Sequence, residues 1–531
     1  MPLPLPSADP HPLEPGLQAT DAFHRRPLFV VDPAPGSGGQ PQVVRSWNEA
    51  HALHGPACPS DVAPAYVAAL ISNNHNAAIS PYRRIRRLPR AHHVLIGSAG
   101  ELHTSPYDPL AGGAASMDAD TLHLFLRQGL IDHLHRALQG HGGAIGCEHS
   151  SGLDSNAVLG ALVHGLGLPP ERLYTWSQEG GGEGPPLEQF RPFHGLLAEH
   201  CHRFTPADHA APTANPGQAD SLAVANAQLS QQLAVFGAPP QIGGNPQAVA
   251  LMAERGCTLL FSGFGGDQAL SHNAANVPTD LVAQGRWAEL VRWSGSRRQA
   301  LKTGGGRMLA LSHRPWATSK VHRRTRDFCR SDVLERCLTA EGRAWLAPHL
   351  KNAYPWEIDN YLPQHHSIRQ RVLADWVALR AEGETRLAAA HGIAKAFPLL
   401  DERLIGTLLQ QDPVLFGEGA GRGRLLHRRA FAPFLPPQLR DNPSKDREPE
   451  GGLEQWRAEL LTQRLQALER QLQRLEPVHP ALPRWWDLAA IRQHSERILA
   501  NPAATMKDVL GTSQALTHLQ TISGWWQALD G

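Results

Sequence analysis

The chain has 531 residues, 41% apolar and 19% charged, with a formal net charge of +1. That length exceeds one ordinary core and favours two or three domains, and the near-zero charge gives no global field to draw nucleic acid or an anionic membrane. No apolar run approaches the roughly 18 residues of a membrane span, and six cysteines without CxxC or framework spacing point to reduced thiols and a cytoplasmic protein.

The proline-rich opening, MPLPLPSADPHPLEPG, lacks the basic and apolar regions of a signal peptide. Strand-like Leu28-Phe29-Val30-Val31 and a helical segment over 63–71 follow. A basic stretch, SPYRRIRRLPR (80–90), leads into strand-like His93-Val94-Leu95-Ile96. Its arginines at 83, 84, 86, 87 and 90 suit either a solvated strand edge or a grip on an acidic peptide. Residues 111–120, AGGAASMDAD, are small and polar, as in a linker. Asp120 is placed to cap a helix whose apolar residues run from Leu122 to Leu138 at helical spacing. After Gly140–Gly143 a short strand, Ala144-Ile145-Gly146-Cys147, enters the corner HSSGLDSN, and a helix is expected over 155–166. LYTWS (173–177) is a second strand, and the Gly/Pro/His-rich region 180–220 is expected to be loops. A helix over 246–255 leads to CTLLFSGFGGDQ (257–268), another apolar strand ending in glycines and an acid. Beyond about 280 the pattern is nearly all helical, and the leucines at 460, 461, 465, 468, 472 and 475 fit a packed helix. Alternating strands and helices imply an α/β fold with a parallel, doubly wound sheet and a helical C-terminal part. The 29 histidines contain no HExxH and read as solvated or structural.

In an open parallel sheet, ligands bind beyond the carboxyl ends of strands, near a switch point. Small residues there let main-chain N–H groups converge on an anion, aided by the next helix N-terminus. Asp154 and Asp267 stand among those amides. Beside a phosphate a bare carboxylate is repulsive, so two of them call for a bridging Mg2+. Neither corner is a GxxxxGK[ST] loop or a GxGxxG fingerprint.

SSGLDS resembles the SGGxDS pyrophosphate loop of N-type ATP pyrophosphatases, and together with Ser262-Gly263-Phe264-Gly265-Gly266-Asp267 it is similar to the asparagine synthetase family. AFPLLDERL (396–404) resembles that family's PFLD turn, and GRGRLLHRRAFAPFLPPQLRDNPSK (421–445) its K-x-x-L-R helix, LP step and late lysine. The resemblance covers about 115 to 450. It implies an adenine nucleotide α-hydrolase-like synthetase domain over 116–531 that uses ATP to adenylate a carboxylate and lets an amine attack. Ser150, Ser151, Gly152, Asp154, Ser155, Ser262, Gly263 and Gly265 would then hold ATP and pyrophosphate. Asp154 and Asp267 would hold Mg2+, and Lys445 would neutralise the phosphate and the tetrahedral intermediate. SPYRRIRRLPRAHHVL resembles the end of the family's glutaminase domain, so residues 1–115 are expected to form a shortened α+β glutaminase-like (Ntn-type) domain. Pro2 stands where glutamine-using members carry the nucleophilic cysteine, which implies that this domain is inactive.

Three departures narrow the member. Phe264 stands where asparagine synthetases carry an acid and β-lactam-forming relatives a tyrosine, Ser151 replaces a loop glycine, and Gln268 replaces an acid. Phenylalanine takes no proton. A peptide α-amine, with a pKa near 7.7–8.0, needs the least help. The pattern is most similar to the lasso-peptide cyclases, which join an Asp or Glu side chain of a precursor peptide to its new N-terminal amine. A leader peptidase and a leader-recognition protein are the partners this implies. An amide or β-lactam synthetase acting on a small amino acid, and a non-catalytic scaffold retaining the fold, are the alternatives.

Overall fold

The computed structural model describes residues 16–530 other than 24–26, 56, 73–74, 98–100, 179–187, 205–231, 234, 243, 273, 313–332, 351–361, 420–422, 442–452, 474 and 476–477. Strands β1 (Gly16–Ala19), β2 (Phe29–Val31), β3 (Gln42–Val44), β4 (Ile85–Arg87), β5 (His92–Ile96) and β6 (Leu102–Pro106) make two antiparallel sheets, ordered β1-β5-β6 and β3-β2-β4. Alternation along β2 explains why its sequence is apolar throughout. Leu28 and Val30 cluster with Val94 and Ile96 of the other sheet. Phe29 and Val31 cluster with Trp47, Tyr66 and Val67 of the helices Trp47–His54 and Pro64–Ile71. With both faces covered, a period of two reads as a continuous run.

Strands β7 (Ala144–Glu148), β8 (Leu173–Gln178), β9 (Cys201–Phe204), β10 (Cys257–Phe261) and β11 (Ala394–Ala396) form a five-stranded parallel sheet, ordered β11-β10-β7-β8-β9. The expected parallel sheet is therefore present. Chain order runs outward in one direction from β7 and in the other from β10, so the switch point lies between these neighbours, where Cys147 is opposite Phe261. The corners that follow both strands leave the sheet side by side.

Several local expectations change. β9 lies inside the region expected to be loops, and β11 is a three-residue strand too short to show alternation. The helix after the first corner is Leu153–Gly160, continued by one π turn, Ala161–Gly165. The long helix Ala119–Leu138 is capped by Asp118, which accepts from the Thr121 N–H, and not by Asp120. Residues 113–117 are anchored rather than a free linker: Gly113 packs on the Gly406 carbonyl, where a Cβ would come within 2.1 Å, and the Ala114 N–H donates to Thr407 Oγ1.

The C-terminal helices Leu453–Gln473, Leu488–Leu499 and Met506–Asp530 close over the N-terminal sheets. One core joins Phe29, Trp47 and Tyr66 to Leu468, Leu472, Trp486, Trp525 and Trp526. Trp485, half-buried, stacks on Trp345 with ring centres 4.4 Å apart. Among the described residues, no helix is long and apolar enough to cross a membrane.

Trp525 joins the two ends of the chain. It is fully buried, meets Tyr66 and Tyr82 edge-on, and donates from Nε1 to the Gly237 carbonyl at 3.2 Å. Trp525→Ala should cost about 3–5 kcal/mol, read as a lower urea midpoint.

Candidate active site

β7 ends at Glu148, and His149, Ser150, Ser151 and Gly152 turn the chain into helix Leu153–Gly160. The corner is folded by its own side chains. Ser155 Oγ accepts from the Ser150 N–H at 3.1 Å and lies 2.8 Å from Ser150 Oγ, which accepts from the Gly152 N–H at 3.1 Å. Asn156 Nδ2 donates to the Ser150 and Gly152 carbonyls, both at 2.8 Å, and the buried His194 ring holds Asn156 Oδ1 at 2.9 Å. The hydroxyls of Ser150 and Ser155 therefore staple the loop. The helix has no side-chain cap, so its first-turn N–H groups are not taken up by a capping side chain.

The second corner is pressed against the first. A Cβ on Gly263 would lie 2.5 Å from the Ser155 nitrogen, and one on Gly266 would lie 2.2 Å from Asp154 Cγ. Gly265 has φ +102°, which strains any side chain, and backs onto Leu400. Ser262 lies just past the end of β10. Its N–H donates to the Ala396 carbonyl, and its buried hydroxyl bonds the Glu148 carboxylate and accepts from the Phe264 N–H. Both of its polar groups are engaged inside the protein, where they tie strand ends together.

Asp154 and Asp267 come together across this contact. Ser271 donates to Asp267 Oδ1 at 3.4 Å and also stabilises the Asp154 carboxylate. The segment around helix Leu425–Ala430 supplies their neighbours. Arg424 Nη2 stands 2.8 Å from Asp267 Oδ1, and His427 Nε2 stands 3.2 Å from Asp154 Oδ1, off the hydrogen-bonding direction. Burial pushes the Asp154 carboxyl up, but His427, Ser271 and Arg424 outweigh it and hold the group below the usual carboxylate range. Arg424 has φ +63°, a left-handed conformation that a side chain rarely adopts unless its surroundings hold it there. Sequence reasoning missed Arg424 and His427. RGRLLHRR reads as a charged helix, and nothing in it marks these two as partners of distant acids, because Arg424 stands just before the helix in a non-helical conformation. Lys445 lies outside the described residues.

The PFLD-like segment builds rather than binds. Leu400 backs Gly265, and Asp401 caps helix Glu402–Leu408 while pairing His133 at 2.9 Å. Phe264 is 8% exposed, met edge-on by Trp376 and Phe397, with the Arg380 guanidinium 4.2 Å above its ring. The Phe264 ring is therefore a covered wall, and the surface there is Arg380. Arg380 is held by Glu384 at 2.7 Å, which Lys395 also pairs at 3.0 Å. The basic stretch is likewise engaged: Arg86 with Asp32, Arg87 with Glu382, Arg90 with Asp375, and Arg83 and Arg84 on main-chain carbonyls.

Among the described residues, no three His, Cys, Asp or Glu side chains converge as a metal cluster. Two carboxylates nevertheless fit Mg2+, which takes one or two protein carboxylates and completes its shell with phosphate oxygens and water. Asp154 Oδ1, buried and without a hydrogen bond, is an oxygen suited to such an ion.

The family model for asparagine synthase matches residues 246–520, just over half of the chain. The match spans the second glycine corner, β11 and the Arg424–His427 segment, and the first corner, upstream of it, packs directly against it. No curated protein matches the sequence.

Two outcomes follow from this geometry. The nearest atoms that Gly266→Ala meets are those of the Asp154 carboxylate, so it should swing that group aside, cost about 1 kcal/mol in stability, and weaken MgATP binding by calorimetry. Gly263→Ala meets main chain and should destabilise the fold instead. The second outcome concerns acid. Burial pushes His149 down to about 4 and His272 to about 3, so both stay neutral in the fold while the unfolded chain protonates near pH 6.5. Their contribution is complete above about pH 6.5 and is lost as pH falls toward 4, by up to about 1.4 kcal/mol per pH unit for each. Urea titrations at descending pH should show the slope, and His149→Gln should flatten it.

Proposed function

Because the chain belongs to the asparagine synthase family, whose members are ATP-dependent ligases, we propose that it forms a macrolactam on a ribosomal precursor peptide, as a lasso-peptide cyclase. An Asp or Glu side chain of the peptide is adenylated by ATP, pyrophosphate leaves, and the peptide's N-terminal amine attacks the acyl-adenylate. The observation that carries the activation half is the contact of two glycine corners at the switch point, with Asp154 and Asp267 sharing Ser271 as a neighbour beside it. In this reading the first-turn amides after Gly152 receive the phosphates, and Arg424, released from Asp267, pairs a phosphate oxygen. Lys445 would add a point charge on the same group. Asp154 and Asp267 would hold Mg2+, which offsets the charge of the phosphates.

What supports a peptide amine as acceptor is the wall at Phe264. No proton-accepting side chain stands at that position, and Arg380 covers the ring. A guanidinium disfavours a second cation beside it, so an arriving amine is pushed toward its neutral, nucleophilic form. An α-amine needs little such help, and proximity within a prefolded peptide supplies much of the rest. The two facing antiparallel sheets suit a shortened glutaminase-like domain over residues 1–115 that does no chemistry, ahead of a synthetase domain over 116–531. A cytoplasmic setting, with a leader peptidase and a leader-recognition protein as partners, belongs to the same reading.

ATP–pyrophosphate exchange tests it. Exchange should require a leaderless peptide with an Asp or Glu side chain in place, and Asp154→Asn or Asp267→Asn should lower it by roughly a hundredfold or more, about 2.7 kcal/mol, with an unchanged circular dichroism spectrum. Full exchange in either variant would overturn the metal assignment. Exchange with a free amino acid and none with such a peptide would favour a small-substrate amide synthetase, and no exchange with any carboxylate would leave a scaffold.

A further inference from the structure

Helix Asp375–Ala390 carries two faces with different partners. Trp376, Arg380 and Glu384, at helical spacing, face the wall: Trp376 and Arg380 on the Phe264 ring, Glu384 on Lys395. Asp375, Glu382 and Arg386 lie on another face and turn to the N-terminal sheets and their flanks. Asp375 receives Arg90 at 2.7 Å and the Ala77 N–H at 3.2 Å. Arg90 also donates to the Leu373 and Ala374 carbonyls, gripping the start of the helix. Glu382 pairs Arg87, both almost fully buried, and Arg386 lies over the Trp47 ring at 5.3 Å.

A buried ion pair is weak support for stability, since two apolar groups of similar shape often do as well. Its geometry is nonetheless demanding. Turning this helix by one residue, about 100°, would break Arg87–Glu382 and Arg90–Asp375 together and carry Arg380 off the ring. We propose that Arg87 and Arg90 are positioning residues for amide formation. The N-terminal sheets set the rotation of helix Asp375–Ala390 and so the place of Arg380 where the acceptor amine arrives. This role rests on the amide-forming reading, and it gives a unit without chemistry of its own a task in the reaction.

The test uses the full-length protein with Arg90→Ala and Arg90→Lys, because this pair is partly exposed and its loss leaves the fold standing. Pyrophosphate exchange, which depends on the Ser150–Ser155 corner, should stay within about twofold of the parent, while kcat for product falls roughly tenfold or more without a matching rise in KM. AMP released per product should rise, and Arg90→Lys, which keeps the charge and loses the fork, should recover part of the loss. Arg87→Met leaves Glu382 paired with Arg386, at 3.7 Å, and should give the same split. Amide hydrogen exchange across 375–390 should quicken in each variant. Proportional loss of exchange and product, or unchanged values of both, overturns the proposal. Unchanged hydrogen exchange refutes the coupling even if the parent protein activates no peptide, so that outcome stays separate from failure of the amide-forming reading.

Discussion

The arrangement depends on one contact, the passage of main chain over main chain where β7 and β10 end. Adjacent parallel strands lie about 4.8 Å apart, so the loops that leave them together have no room for side chains between. Gly263 against the Ser155 main chain meets that requirement, and Gly266 leaves the space that the Asp154 carboxylate occupies. The same closeness sets the acids. Asp154 begins a helix whose amides face the corner, and Asp267 follows the glycines, so both carboxylates reach one spot without any loop having to travel.

Two acids in one place repel, and the protein answers from a distant part of the chain. Arg424 and His427 stand against Asp267 and Asp154, and Arg424 does so in a left-handed conformation held by its surroundings. The pairing has a functional logic. In the proposed reaction a polyphosphate with its cation would bring the same balance of charges, exchanging these contacts and leaving no carboxylate uncompensated in a partly buried site. Asp154 is held below the usual carboxylate range while its Oδ1 is buried without a hydrogen bond.

What the sequence showed and what it hid divide along a physical line. Local rules placed the apolar strands before both glycine corners, the helix Pro246–Glu254 almost to the residue, and the parallel sheet. The glycines were legible because a missing side chain leaves a mark in one dimension. Partnerships between distant residues leave none. RGRLLHRR reads as a charged helix, and only folding shows that Arg424 and His427 belong to the acids. The same holds for Ser262, which resembles a phosphate-loop serine and is spent on Glu148 and Phe264. It holds for Phe264 too, an apparent wall until Arg380 is seen lying on it. β11, three residues long, is recognisable only from the strand beside it.

The division of the chain into a small front unit and a large synthetase also gains a physical qualification. Trp525 and Trp526 near one end share a core with Phe29 and Tyr66 near the other, so neither part buries its apolar surface alone. The polar seam repeats this. Arg87 and Arg90, which in sequence resemble a free basic edge, have their carboxylates nearly 300 residues away on helix Asp375–Ala390. An apolar core joins parts without fixing their rotation, because it is non-directional, whereas paired charges of fixed geometry select one register. Here both act on the same boundary: the tryptophans hold the front unit on, and the arginines set how the helix beside Phe264 is turned.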